Sequence, residues 1–204
     1  MYFGRMHPTL PAPLQEPIAR YLALLDQWSR THALTSLEKE ERFEELILDS
    51  MALLPFLAPL AAGSTVVNFG TGMGIPAVPI ALARPDLTVV ALDKSSKKIA
   101  FVRQAGLELH LANLAPRVGR AEQLPPLAAQ AGVAKAVGTL DLLTGWWRRH
   151  GQPEAPLLAL KGPQGPPETG GHWEAPAGFR LCLHPYQLPS RGQRVVVELR
   201  GLSG

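Results

Sequence analysis

The stretch Val66-Val67-Asn68-Phe69-Gly70-Thr71-Gly72-Met73-Gly74 constrains the fold more than any other part of the chain. A mainly apolar run ends in three alternating glycines, and helix-compatible residues resume at Ile75. Glycine has no Cβ, so the chain can take unusual φ values there and its amides can approach a ligand closely. The helix that follows adds partial positive charge at its N-terminus. Pro76 sits near its first turn, where a missing N–H costs little. A tight turn without a ligand is the plain alternative, and three alternating glycines directly behind a buried strand argue against it.

Periodicity extends this unit into an α/β fold. Strands are predicted over 64–69, 87–92 and 115–118, with helices over 75–83 and 95–109 between them. Further on, strands are expected over 134–137 and 156–160 around a helix over 140–149. Residues 162–178, rich in proline and glycine, read as a loop, and 179–183 with 194–199 as a closing antiparallel hairpin. Alternating strands and helices imply a parallel sheet covered on both faces, with its ligand edge at the strand C-termini. Ahead of it, Leu14, Ile18, Tyr21, Leu22, Leu25 and Trp28 recur at helical spacing. A second helix is expected after Ser36, which with Lys39 and Glu40 loosely resembles a capping box. The predicted organisation is a helical extension over 1–61 and a Rossmann-like unit over 62–204, together one structural unit.

Three ligand classes compete for the glycine loop. A dinucleotide fingerprint wants Gly-x-Gly-x-x-Gly, whereas the spacing here is Gly-x-Gly-x-Gly. A phosphate loop needs Lys-Ser/Thr after its last glycine, and Ile75-Pro76 stands there. The spacing resembles motif I of S-adenosylmethionine-dependent methyltransferases. Asp93 closes the second predicted strand, where a carboxylate can accept hydrogen bonds from ribose hydroxyls. It serves adenosylmethionine and NAD equally; a helix cap ahead of Ser95-Ser96 is its plainer role.

Together with Tyr21-Leu22-Ala23-Leu24-Leu25, Leu34-Thr35, Ile47-Leu48-Asp49-Ser50, Ile75-Pro76-Ala77-Val78-Pro79, Lys97-Lys98-Ile99-Ala100-Phe101, Gly119-Arg120-Ala121-Glu122 and Leu160-Lys161-Gly162, these segments resemble the glucose-inhibited division protein B family. That resemblance implies a class I methyltransferase fold, S-adenosylmethionine as cofactor, and methylation of guanine N7 in small-subunit (16S) ribosomal RNA. It implies cofactor contacts at Asn68, Gly70, Gly72, Gly74, Asp93, Ala121 and Glu122. Guanine N7 carries a lone pair and no proton, so no catalytic base is expected. Lys161 is the candidate for substrate positioning, and Lys94, Lys97, Lys98 and Arg120 are candidates for RNA contact, although a solvated helix face explains lysines equally well.

The departures from the family lie mainly on the substrate side. Asn68 stands where the family has aspartate, Ala33 where it has asparagine, and Glu45-Leu46 where it has Arg-His. The fourth strand, expected to end in Ser-Arg-Ala, runs into Gly138-Thr139-Leu140 with no arginine at Thr139. A cofactor-binding paralogue with a degenerate substrate site, inactive or acting on another substrate, therefore stays open beside the RNA methyltransferase.

Composition excludes other classes. No apolar run approaches the roughly 20 residues of a membrane span. Cys182 is the only cysteine, so neither an internal disulfide nor a cysteine zinc cage is available, and its apolar setting suggests a small core residue. The six histidines lack metal-ligand spacing. A net charge of +3 suits a polyanionic partner without requiring one. A cytoplasmic monomer is expected.

Overall fold

The computed structural model describes residues 6–32, 34–166 and 169–202. Ala33 lies outside the described residues. Helix α1 (Gln15–His32) leads to α2 (Lys39–Arg42), which runs through a π-helical turn (Phe43–Leu48) into α3 (Asp49–Met51), and α4 (Leu54–Leu57) follows. The capping box of α2 is formed by Glu38 and Glu41, not by Ser36. Sheet and helices then alternate: β1 (Thr65–Phe69), α5 (Ala77–Ala83), β2 (Thr88–Asp93), α6 (Ser96–Glu108), β3 (Leu114–Val118), β4 (Ala131–Lys135), α7 (Leu140–His150) and β5 (Leu157–Lys161). A hairpin of β6 (Phe179–Leu188) and β7 (Gly192–Gly201) completes the sheet.

The seven strands run in the order β3-β2-β1-β4-β5-β7-β6. The first five pair in parallel, while β7 is antiparallel to both β5 and β6. Strand order therefore reverses between β1 and β4, and a ligand crevice forms outside the carboxyl ends there. Alternate residues of each strand feed two cores. Val66, Val89, Val133 and Leu158 pack under α1, α5 and α6, whereas Val67, Val90, Ala134 and Leu157 pack under α7. Ile18, Tyr21 and Leu25 of α1 and Ile47 and Leu53 share the first core, so the amino-terminal helices are built into it.

Strand β4 begins and ends earlier than its sequence suggests. Gly132 weakens the strand pattern, yet a Cβ there would lie 2.8 Å from ring atoms of Trp147. The glycine makes room for that indole, which is almost fully buried. The residue at the strand's end is consequently Lys135, in the segment Ala134-Lys135-Ala136. Thr139 lies beyond the strand and caps α7, its side chain accepting from Leu142 N at 3.2 Å. A cation, Lys135, thus stands at the end of β4.

Candidate cofactor site and substrate cleft

The glycine loop is shaped as its sequence demands. Gly70, Gly72 and Gly74 have φ of 60°, 58° and 96°, in the left-handed region that side chains disfavour. At Gly70 an added Cβ would meet Val137 Cγ2 at 2.6 Å, and at Gly74 it would meet Val78 Cγ2 at 2.8 Å. At Gly72 it would meet nothing within 4 Å, so this middle glycine borders open space. Thr71 Oγ1 is buried in the same turn and has no hydrogen-bond partner among the described residues.

Asp93 stands at the end of β2 and buttresses this loop. Its Oδ2 accepts from Gly72 N at 2.9 Å and its Oδ1 from Ser95 N at 2.9 Å. The α6 cap is Ser95, not Asp93, since the Ser95 hydroxyl accepts from Lys98 N. A carboxylate offers about four lone-pair sites, so two remain for a ligand. Asp93 lines a cavity of about 530 Å³ together with Gly70, Gly119, Ala121, Glu122 and Gly138. Lys94, Lys98 and Arg120 also line it, while Lys97 is exposed away from its lining. Arg120 pairs with Glu122 at 3.8 Å on the surface, a contact of little energetic weight.

Asn68 is oriented differently from its sequence expectation. It is fully buried, its Oδ1 accepts from Ala77 N at 3.2 Å, and its Nδ2 donates to Val133 O and Phe69 O, each at 3.3 Å. These bonds tie β1 to β4 and to the start of α5, directly behind the loop.

Lys161, at the end of β5, donates to Val137 O at 3.2 Å and Gly138 O at 2.8 Å. Burial pushes its ammonium below the ordinary lysine range. It separates two further cavities. The larger, about 620 Å³, is lined by Gly138, Thr139, Asp141, Lys161, Trp173 and Glu174, and it shares Gly138 with the Asp93 cavity. The smaller, about 210 Å³, brings Lys135, Lys161 and Arg194 together beside Asp49.

Several of these residues carry no motif. Lys135 pairs with Asp49, whose other oxygen accepts from the Tyr186 hydroxyl. Glu45 bonds Arg194 at 2.8 Å and Leu46 is core, so the acidic, apolar edge is a packed seam against β7. Trp146 lines the Asp93 cavity while Trp147 is core, the division that tandem tryptophans on a helix suggest. A cation ending an apolar strand was the available signal for Lys135; nothing local announces Trp173 or Arg194. Cys182 is exposed on β6, contrary to the core position that its apolar neighbours suggest.

A reversed parallel sheet with this loop, and an acid closing the neighbouring strand, defines a class I S-adenosylmethionine-dependent methyltransferase fold. A methyltransferase of this type from Aquifex aeolicus superposes with a TM-score of 0.60 at 17% identity, covering 82% of this chain and 96% of that one. An rRNA methylase from Streptococcus thermophilus gives 0.52 at 17% identity, over 75% and 95%. The sequence pattern of the family described as rRNA small subunit methyltransferase G matches residues 14–176. The ribosomal RNA small subunit methyltransferase G of Xanthomonas euvesicatoria is 34% identical over 201 residues, 97% of this chain and 92% of the relative. That of Stutzerimonas stutzeri is 35% identical over 204 residues, 98% and 93%. The chain belongs to the rRNA small subunit methyltransferase G family.

Proposed function

We propose that the chain methylates N7 of a guanine in small-subunit (16S) ribosomal RNA, using S-adenosylmethionine. One observation carries the reading: the cavity lined by Gly70 and Asp93 shares Gly138 with a second cleft that Lys161 lines. The first cavity suits the cofactor. Gly70 brings the glycine loop to its wall, and Asp93, with two acceptor sites already used by Gly72 N and Ser95 N, keeps acceptor capacity for ribose hydroxyls. Ala121 and Glu122, at the end of β3, would flank the adenine. When bound, S-adenosylmethionine supplies an electrophilic methyl group.

The protein's task is alignment. Guanine N7 presents a lone pair without a proton, so no residue need act as general base, and positioning supplies much of the rate. Lys161 is held at the boundary of the two substrate-side cavities by its bonds to Val137 and Gly138 carbonyls. Lys94, Lys98 and Arg120 rim the opposite flank, on the β2–β3 side, where they would meet backbone phosphates. Asn68 contributes by bracing the loop from behind. Presence of Lys135 at the end of β4 weakens the case for a degenerate substrate side. Action on ribosomal RNA places the protein in the cytoplasm, and we take it to work as a monomer.

The test incubates purified protein with labelled adenosylmethionine and small subunits lacking the modification. Label recovered as 7-methylguanine in 16S RNA supports the reading. Cofactor binding with no transfer to RNA would return it to the inactive-paralogue alternative.

A further inference from the structure

The cleft beyond Gly138 carries a second, more specific message. Asp141 lines it from the first turn of α7, beside Trp173 and Lys161. Asp141 is exposed, and its carboxylate takes part in no hydrogen bond or ion pair among the described residues. It follows Gly138, the residue shared with the cofactor cavity, by three positions, a chain reach of about 11 Å at most. Its place in the first turn of α7 fixes its backbone.

We propose that Asp141 reads the Watson–Crick edge of the target guanine in this cleft. The proposal rests on the guanine-N7 reading above and adds the source of base selectivity. Guanine presents two adjacent donors on that edge, N1–H and the N2 amino group. A carboxylate accepts both in a bidentate pair. Adenine presents an acceptor at N1, which a carboxylate repels. N7 lies on the opposite edge of the purine, so a guanine gripped this way turns N7 outward, toward whatever faces the far side of the cleft. Gly138, which lines both this cleft and the cofactor cavity, gives that direction a destination. Trp173 adds an aromatic surface of the kind on which extruded bases stack, and the Lys161 ammonium lies 6.0 Å from its ring centroid.

Asp141→Asn is nearly isosteric but replaces one acceptor oxygen with a donor that opposes the guanine amino group. It should lower kcat/KM for methyl transfer to small-subunit RNA by about tenfold to a hundredfold. Calorimetric affinity for S-adenosylhomocysteine should stay at the wild-type value, which also reports a folded variant. In the same assay GMP should inhibit the wild-type protein better than AMP, and the variant should lose that preference. A purely helix-stabilising Asp141 would leave the GMP-to-AMP ratio unmoved. Transfer within about twofold of wild type, or a preserved GMP preference, overturns the proposal. Wild-type protein that methylates no RNA removes its premise and the proposal together, a result separable from an active wild type with an indifferent variant.

Discussion

The Tyr21 hydroxyl donates to the Met73 carbonyl at 2.8 Å, joining helix α1 to the centre of the glycine loop across 52 residues. Tyr21 is fully buried, and burial pushes its phenol well above its ordinary range, so it remains a donor at any physiological pH. The amino-terminal helices thereby hold the cofactor loop in shape. Removing this hydroxyl in Tyr21→Phe leaves the Met73 carbonyl short of its partner and should cost about 1–3 kcal/mol of stability. Adenosylmethionine affinity should fall several-fold with it. Chemical denaturation and calorimetry read the two effects, and an unchanged affinity would make α1 a mere cover for the sheet.

Asp93 serves the loop as well as any ligand. Because its two oxygens accept from Gly72 N and Ser95 N, Asp93→Ala should weaken the fold, not only the ribose contact. Each charge-assisted bond lost is worth about 1.5–3 kcal/mol before compensation by water. We expect a lowered unfolding midpoint together with reduced cofactor affinity. Loss of binding at wild-type stability would assign the carboxylate to the ligand alone.

At Asn68 the expectation reverses once the structure is known. From sequence, an aspartate there should attract the cofactor's amino group and tighten binding. In the structure the Asn68 amide donates to two carbonyl oxygens inside a fully buried site. An introduced carboxylate would face those oxygens, so Asn68→Asp should be destabilised by about 1–3 kcal/mol at neutral pH. Its carboxyl pKa in the folded state would lie above the unfolded value. Stability should thus be greatest in acid and decline as pH rises through the folded pKa. Equal or tighter adenosylmethionine binding at wild-type stability would contradict this.

Lys161 gives a pH signature of opposite origin. Its ammonium is held below the ordinary lysine range by burial, so the unfolded chain binds that proton more tightly. Stability rises with pH wherever the unfolded state holds more protons. Between the depressed folded value and about 10.4, the wild-type protein should gain stability relative to Lys161→Met. Urea titrations of both proteins across pH 7–10 measure the difference. Parallel curves would show that the amine is fully solvated.

Much of this architecture was legible in the chain itself. The strands flanking the glycine loop announce themselves because they are continuous apolar runs, and α7 because Leu140, Leu143 and Trp147 fall on one face. Asp93 was identifiable from its place after such a run. Residues that act through tertiary packing left no local trace. The role of Gly132 is visible only once Trp147 is seen occupying its space, and β4, expected over 134–137, runs from Ala131 to Lys135. Asn68 carried the right position and the wrong direction, since strand alternation turns it toward α5 and away from the cavity. Glu45 looked like an intrusion of acid because its partner, Arg194, is supplied by a hairpin 149 residues away.

That seam has a consequence for how the protein is made. Asp49 is buried against Lys135 and Tyr186, Glu44 receives the main-chain amides of Ser190 and Arg191 at 2.7 and 2.9 Å, and Glu41 meets Arg191. Synthesis delivers these carboxylates more than a hundred residues before most of their partners, so for most of translation the acidic face of residues 41–49 waits uncompensated. Contacts this distant in sequence form late, after the costly loop between them has closed. The β6–β7 hairpin is therefore the latch of the molecule. A nascent chain halted before it would carry the glycine loop and β1 to β5 with the acidic helix still unfastened.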